Sequence, residues 1–132
     1  MKTICKINGI DFGARVSIAE NGVTETFNVL DGSNSGRSLS GDMIRDVIGT
    51  YILHKVTFFN TKQARFDELW DYLVQHSVDD YVEVELADGQ STIKYNAYYT
   101  TGSRKLVKSV DNKNYWDELT ISFVPIGARL KK

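Results

Sequence analysis

Few side chains in this chain could act as nucleophiles, bases or metal ligands. The sequence holds one cysteine, Cys5, and two histidines, His54 and His76. Nucleophilic catalysis needs a cysteine or serine beside a base and an orienting acid, and no spacing here brings such groups together. Cys5 lies in a short alternating segment, where cysteine is typically a small buried hydrophobe. We therefore predict no catalytic residues and no metal ligands, and expect the protein not to be an enzyme.

The segment Gly32–Ser38 (GSNSGRS) partly matches two ligand-binding loops. It is one residue shorter than a phosphate-binding loop, and the breaker sequence Leu39–Gly41 follows it where a helix should begin. The same region places oxygen-bearing residues at calcium-loop spacing, but serines stand where carboxylates are needed. A flexible loop is the better interpretation, so no cofactor is predicted.

Two clusters of charge have both a functional and a structural interpretation. Glu83 and Glu85 share one strand face roughly 7 Å apart, as paired carboxylates of glycosidases can. A solvated strand face that meets Lys94 across a hairpin is the simpler interpretation.

Basic residues at Arg104, Lys105 and Lys108 lie near Tyr98 and Tyr99, a mixture that can bind single-stranded nucleic acid. Sixteen basic and seventeen acidic residues give a net charge of −1, however. A nucleic-acid-coating protein usually carries a positive excess, so nucleic acid is not expected as a specific ligand.

The elements that position these residues are mostly strands. Alternating or β-branched segments predict strands over the following ranges: 4–8, 14–20, 23–30, 50–59, 80–87, 91–99, 104–110 and 115–124. One amphipathic helix is predicted over about 61–76, capped by Asn60 and Gln63 and ending near His76. Its apolar stripe has helical spacing and consists of Phe66, Leu69, Trp70, Leu73 and Val74.

Turn signals separate these elements. Asn21-Gly22 and Asp88-Gly89 predict tight hairpins, and residues 111–114 predict a further turn. Residues 31–42 (DGSNSGRSLSGD) predict a long exposed loop, and the basic tail 127–132 is predicted to fray.

Together these features predict a single domain over residues 1–132, in the mainly β part of the α+β class. Its expected core is an antiparallel β-sandwich or barrel of about seven or eight strands with one packed helix. No apolar stretch approaches the length of a membrane span, and no signal peptide is recognised. We expect the chain to be made in the host cytoplasm and to have no membrane partner.

The stretch over residues 29–50 (VLDGSNSGRSLSGDMIRDVIGT) carries a resemblance more specific than its composition. It resembles a segment of small prophage proteins of Gram-positive bacteria, with a pattern like L-D-G-x-N-x-G-R-x-L-x-G-x-M-x-R-D-x-I-G-T. The opening Lys6–Ile10 (KINGI) and the late strand Tyr115–Phe123 are similar to segments of the same proteins, in the same order.

That resemblance implies a structural component of a long-tailed phage, of the tail-tube or distal-tail type. In that fold a β-sandwich or barrel is flanked by one helix, and rings that are usually hexameric extend sheets and loops across subunits. The expected partners are further copies of the chain and other tail proteins, and the expected location is the virion tail. No catalytic residue is carried over. The implied assembly residues are Asp31, Gly32, Asn34, Gly36, Arg37, Leu39, Gly41, Met43, Arg45 and Asp46.

Contacts of the two arginines in this segment have two interpretations. Arg37 and Arg45 could bind Asp42 or Asp46 of a neighbouring copy, or the same charges could satisfy each other within one chain.

A second class of function also stays open: a phage-encoded binding protein that inhibits a host defence enzyme or contacts nucleic acid through Arg104, Lys105 and Lys108.

Overall fold

A computed structural model describes residues 5–31, 36–37, 43–44, 47–127 and 130–131. Within them lie ten strands and two helices. In chain order these are β1 (Cys5–Ile7), α1 (Phe12–Arg15), β2 (Ser17–Asp31), β3 (Gly36–Arg37), β4 (Met43–Ile44), β5 (Val47–Phe59), α2 (Gln63–Gln75), β6 (Val82–Asp88), β7 (Ser91–Tyr98), β8 (Gly102–Val110), β9 (Lys113–Pro125) and β10 (Leu130–Lys131). The predicted mainly β α+β class is confirmed.

Eight of the described strands form one antiparallel sheet, which curls into a half-barrel. Its order is β1-β6-β7-β9-β5-β10, with β2 also paired to β5 and β8 also paired to β9. β9 is the strand on which the curl depends. It pairs with β8 and β5 along most of its length, and its last residues, Val124 and Pro125, pair with β7.

The inside of the curl is filled by alternating strand residues and one face of α2. Val82, Val84 and Leu86 of β6 are buried, as the alternation predicts. The helix contributes Phe66, Leu69 and Leu73 to the same core. Because apolar residues at period two and at helical spacing meet on this one side, the sheet and helix share a single hydrophobic core.

Val74 is the exception in the predicted helical stripe, since it is 55% exposed. At about 100° per residue it lies roughly 80° around the helix from Phe66, whereas Leu69 and Leu73 lie on the other side of Phe66. The buried arc is therefore centred away from Val74, and the prediction that Val74 joins the core is wrong.

The start of α2 also differs from the prediction. The helix begins at Gln63 with Lys62 as its N-cap, and no side chain caps it. Asn60 instead donates from Nδ2 to Gln63 Oε1 at 2.5 Å and to the Trp116 carbonyl at 2.8 Å. Asn60 thus ties the helix entry to β9 rather than capping the helix. The predicted end is confirmed, with His76 as the C-cap.

Asn21-Gly22 does not form the predicted hairpin. β2 continues through it as one strand of 15 residues along β5, with a register shift between Ile18 and Val23. Asn21 has φ 58°, a conformation that asparagine tolerates better than most residues. The dipeptide therefore marks a β-bulge inside one strand that includes residues 17–20 and 23–30. The predicted strand over 14–20 is wrong at its start, because residues 14 and 15 end the short helix α1.

The later turns follow the predictions. β6 and β7 form a hairpin through Gly89, which has φ 58°. Asp111 and Asn112, at φ 53° and 63°, connect β8 to β9. Two positive φ values in a two-residue connection are the geometry that matches strand twist in a hairpin.

Two segments predicted to lack regular structure contain short strands. Gly36–Arg37, inside the predicted loop 31–42, pairs with Met43–Ile44, and Leu130–Lys131, in the predicted frayed tail, pairs with β5. Residues 36–37 and 130–131 thus pair as strands where a loop and a frayed tail were predicted, because backbone pairing with a neighbouring strand needs no hydrophobic pattern. The rest of 32–42 and Ala128, Arg129 and Lys132 lie outside the described residues.

In the part of the chain that the structure describes, neither helix is long and apolar enough to cross a membrane.

Gly22 offers a test of the bulge. A Cβ there would lie 2.6 Å from the Ala19 carbonyl oxygen and 2.7 Å from that of Thr57. Both are backbone atoms, so relief requires moving β2 from β5. We expect Gly22→Ala to lower the free energy of unfolding by about 2 kcal/mol in urea titration. Gly127→Ala, where nothing lies within 4 Å, is the control and should be close to neutral.

Candidate functional site

The predicted assembly segment is only partly described. Asp31 ends β2 opposite Val47, and the backbones of Gly36, Arg37 and Met43 lie in the small β3–β4 pairing. The remaining predicted positions lie outside the described residues: Gly32, Asn34, Leu39, Gly41, Arg45 and Asp46. The proposed contacts of Arg37 and Arg45 with carboxylates therefore stay predictions.

Cys5 is completely buried in the core. Burial, and then the nearby charge of Asp11, raise the pKa of its thiol to about 12. Since the thiolate is the nucleophilic form, this cysteine is a packed core residue, as its place in the alternation indicates. His76 lies at the end of α2, with Nδ1 at 2.7 Å from Asp79 Oδ2.

No group of three histidine, cysteine or acidic residues converges on a possible metal position among the residues placed by the structure. Glu83 and Glu85 each face a lysine, with Glu83 3.5 Å from Lys94 and Glu85 3.7 Å from Lys6. These are ion pairs on the outer face of the sheet, in agreement with a solvated strand face.

The predicted basic cluster does not form one surface. Lys105 pairs with Glu118 at 3.1 Å, and Lys108 lies over the ring of Tyr115 at 5.1 Å. Arg104 points inward and is only 16% exposed. Because each cation has its own partner, the cluster lacks the continuous basic and aromatic surface that single-stranded nucleic acid needs.

Arg104 is instead held between two tryptophans. Its guanidinium carbon lies 4.6 Å from the ring centroids of both Trp70 and Trp116, and Nη1 donates to Asp67 at 2.9 Å. A register shift between Ser103 and Lys105 turns Arg104 out of the β8–β9 alternation. The stack therefore joins α2, β8 and β9 through one planar cation.

His54 is the polar side chain that the core encloses, at 1% exposure. Its Nδ1 lies 2.8 Å from the Tyr95 hydroxyl, and its Nε2 lies 2.9 Å from the Ala87 carbonyl and 3.2 Å from Glu25 Oε2. One imidazole from β5 thus reaches β2, β6 and β7. His54 has the same parity as Val56 and Phe58, so the alternation of this strand already contained the signal for its burial.

Glu25 is the partly exposed member of this cluster, with 33% of its side chain accessible. Its pKa is raised above the usual range, first by loss of solvation and then by a hydrogen bond and charge repulsion from Asp88; His54 acts in the opposite direction. The pKa of Tyr95 is also raised, chiefly by burial. The carboxyl group of Glu25 therefore keeps its proton to a higher pH than an ordinary glutamate does.

The long strands lie side by side in the order β2-β5-β9-β8, and the two outer edges of this layer have no neighbour among the described strands. In the order β2-β5-β9-β8, no described strand pairs with the far edge of β2 or of β8. A long edge strand with free backbone groups is a template for pairing with another chain, and proteins usually block it with lysine, proline or bulges. β2 contains neither lysine nor proline. Its bulge near Gly22 leaves the stretch after Val23 regular.

Exposed apolar side chains accompany both edges. Phe27 of β2 is 68% exposed and pairs with Ile52, on the same sheet face as the partly buried Val23 and the buried Val56. The paired strands β2 and β5 therefore extend beyond the hydrophobic core. We call Glu25–Asp31 with its partners on β5 the β2–β5 arm. The exposed apolar residues of β8 are Leu106, Val107 and Val110.

The two edges also differ in charge. β2 carries Glu20, Glu25 and Asp31 and no cation, whereas the exposed charges of β8 are Lys105 and Lys108, and that strand has no acid. An acidic strand edge and a basic strand edge on one subunit are complementary to each other in two neighbouring copies. Sequence reasoning missed this pair of edges, because an edge is defined by the pairing order of strands and leaves no mark in a single strand.

Comparison with protein-family models, with curated proteins and with solved structures found no match for this chain. The resemblance of residues 29–50 to a phage tail family therefore stays a prediction.

The buried histidine can be tested by His54→Leu. Leucine fills similar space but leaves the Ala87 carbonyl and the Tyr95 hydroxyl without their partner. We expect a loss of about 2–3 kcal/mol in the free energy of unfolding. His76→Leu removes a partly exposed hydrogen bond to Asp79 and should change stability by under about 1 kcal/mol. Equal effects of the two substitutions would contradict the bridging role of His54.

Arg104→Lys tests the tryptophan stack. Lysine keeps the charge toward Asp67 but cannot lie flat between two indole rings, so we expect a loss of about 1–2 kcal/mol and a change in tryptophan fluorescence. Arg65→Lys, in an exposed pair with Glu68, is the matched control. A neutral Arg104→Lys would show that charge alone accounts for this position.

Proposed function

We propose that this chain is a non-enzymatic structural protein of a phage or prophage tail, of the tail-tube, distal-tail or baseplate-associated type, which acts by assembling into rings. The observation that carries the proposal is the four-strand order β2-β5-β9-β8 with two open edges of opposite charge. The resemblance of residues 29–50 to tail proteins supplies the biological setting.

The two edges favour a head-to-tail contact. If β2 of one copy pairs with β8 of the next, the sheet continues across subunits, and each copy offers one edge of each kind. Such a heterologous contact closes into a ring when the rotation between copies divides a full turn. The net charge of −1 gives little general repulsion between copies. The exposed side chain of Phe27 is then buried against the neighbouring copy.

The nucleic-acid alternative has less support. Its three basic residues are engaged with Asp67, Glu118 and Tyr115, and Arg104 is mostly buried. A salt-dependent shift of DNA mobility would nevertheless favour this alternative over ring assembly.

Two variants test the head-to-tail contact, one with the β2 edge blocked and the other with the β8 edge blocked. Phe27→Lys places a charge on the exposed β2 arm and leaves β8 intact. The double variant Lys105→Glu/Lys108→Glu reverses the charge of β8 and leaves β2 intact. We expect each variant alone to be folded and monomeric by analytical ultracentrifugation. An equimolar mixture should form a 1:1 dimer and nothing larger, because only one good β2–β8 contact is possible.

Val78→Lys is the matched control, since Val78 is 87% exposed but lies after α2, on neither edge. This variant should assemble like the unchanged chain. If the Lys105→Glu/Lys108→Glu variant forms a dimer by itself, β2 pairs with β2 of the other copy, and the proposed head-to-tail ring is wrong. If the mixture stays monomeric, the edges are not the assembly surface.

A separate measurement tests whether this protein is a component of phage particles. Particles produced by a lysogen that encodes this chain should contain it in stoichiometric amounts by mass spectrometry. Its absence from purified particles would exclude a virion role even if the isolated protein forms rings.

A further inference from the structure

A small apolar cavity lies between α2 and the first residue of β8. Its volume is about 160 Å³. The apolar residues that line it, together with Gly102 of β8, are Trp70, Leu73 and Val74 of α2, Tyr99, and Ile121 of β9. An apolar cavity of about 150 Å³ can hold one benzene molecule. This cavity therefore has room for one aromatic ring.

Gly102 connects this cavity to the outer edge of β8. It pairs with the buried Ile121, so both residues lie on the side of the sheet that faces α2. β8 contains no other glycine. Because Gly102 has no side chain, nothing of β8 separates the cavity from a strand added beyond that edge. On the α2 side of the cavity, Val74 is 55% exposed in the single chain.

Phe27 of β2 is the side chain that fits this opening. Among the described residues it is the most exposed aromatic one, at 68%. It lies on the same sheet face as Val56, which is the face toward the core. In a sheet that continues from one copy to the next, the core-side residues of β2 therefore adjoin those of β8. An aromatic residue beside an edge glycine of a neighbouring strand covers the bare backbone and fixes the register of the pair.

We propose that Phe27 of one copy inserts its ring into the cavity beside Gly102 of the next copy and so fixes the register of the β2–β8 contact. The insertion rests on the proposed ring function, and the partner it recognises is a second copy of this chain. Phe27 lies opposite Gly102 in this register, and its ring is enclosed by α2 and β9 of the neighbour.

The direction of the added strand follows from the order of the layer. Successive strands of β2-β5-β9-β8 are antiparallel, so β8 runs opposite to β2. If β2 of the next copy pairs antiparallel with β8, it runs in the same direction as β2 of the first copy. All copies then share one orientation, as a cyclic ring requires. A parallel contact would reverse each successive copy. The antiparallel register with Phe27 opposite Gly102 also places Thr26 opposite Ser103.

The two edge-blocked variants provide a single dimer in which the ring can be tested. The Lys105→Glu/Lys108→Glu subunit offers β2, and the Phe27→Lys subunit offers β8. On the subunit that offers β2, Phe27→Ala should weaken association about thirtyfold in analytical ultracentrifugation, as loss of a central apolar anchor does. Leu30→Ala is the matched control and should change association by less than about threefold. Leu30 is 46% exposed on the same strand but lies on the opposite face, where it pairs with Gly49.

Gly102→Leu on the subunit that offers β8 fills the cavity. A Cβ at Gly102 comes no closer than 3.8 Å to its neighbours, so the variant should fold. We expect it to weaken association with a Phe27 partner about tenfold and to have little further effect on a Phe27→Ala partner. Ser103→Leu, on the opposite face of β8, is the control and should not show this dependence on the partner. If the effects of Gly102→Leu and Phe27→Ala simply multiply, the ring does not enter the cavity.

A disulfide between copies tests the register. Thr26→Cys on the subunit that offers β2 and Ser103→Cys on the subunit that offers β8 should cross-link, because residues directly opposite each other in an antiparallel pair lie within disulfide range. The native Cys5 is buried. Asn28→Cys is the control for Thr26→Cys, since Asn28 lies opposite Ser103 only in a parallel contact. A cross-link from Asn28→Cys and none from Thr26→Cys would overturn the proposed register.

The outcomes separate this insertion from the ring function. If the two edge-blocked variants do not associate at all, both proposals fail. If they associate equally well with Phe27 and with Phe27→Ala, the insertion is wrong and the contact between the edges still stands.

Discussion

β9 is the strand on which the rest of the structure depends, because it pairs with three others. Its first part pairs with β8, its later residues Leu119–Phe123 pair with β5, and its end pairs with β7. That sharing bends one sheet into a half-barrel and places the alternating apolar residues of β6, β7 and β5 on the inside. It also makes β2 and β8 the outermost strands of this layer, so among the described strands the same pairing that builds the core leaves two edges without a neighbour.

The long strands of this protein extend beyond its hydrophobic core. β2, β5 and β9 run for 13 to 15 residues, well beyond the five or six typical of a strand. The helix α2 packs against only part of that length, so the strands extend beyond the hydrophobic core. Two polar side chains connect elements outside this apolar packing. His54 joins the β2–β5 arm to the β6–β7 hairpin, and Arg104 joins α2 to β8 and β9.

Alternation and helical spacing predicted most of this architecture, because burial on one side is a local property of each segment. The alternation of Val82, Val84 and Leu86 and the burial of Phe66, Leu69 and Leu73 could be predicted from the sequence. Asn21-Gly22 could not be interpreted correctly, since a bulge and a hairpin use the same backbone freedom and only the position of β5 distinguishes them. The partners of Arg104 depend on a register shift, and the complementary edges depend on strand order, so neither follows from the sequence pattern alone.

The position of β9 in the chain has a consequence for synthesis. β2 and β5 leave the ribosome early, at a pace of about 5–20 residues per second, but β9 must follow before the sheet can curl and before β8 has its neighbour. Pairing of Cys5–Ile7 with Val84–Leu86 likewise closes a very long loop. A chain interrupted before Lys113 contains β2, β5 and β8 but lacks β9, so the strand that joins β5 to β8 is missing and the layer with two outer edges cannot form.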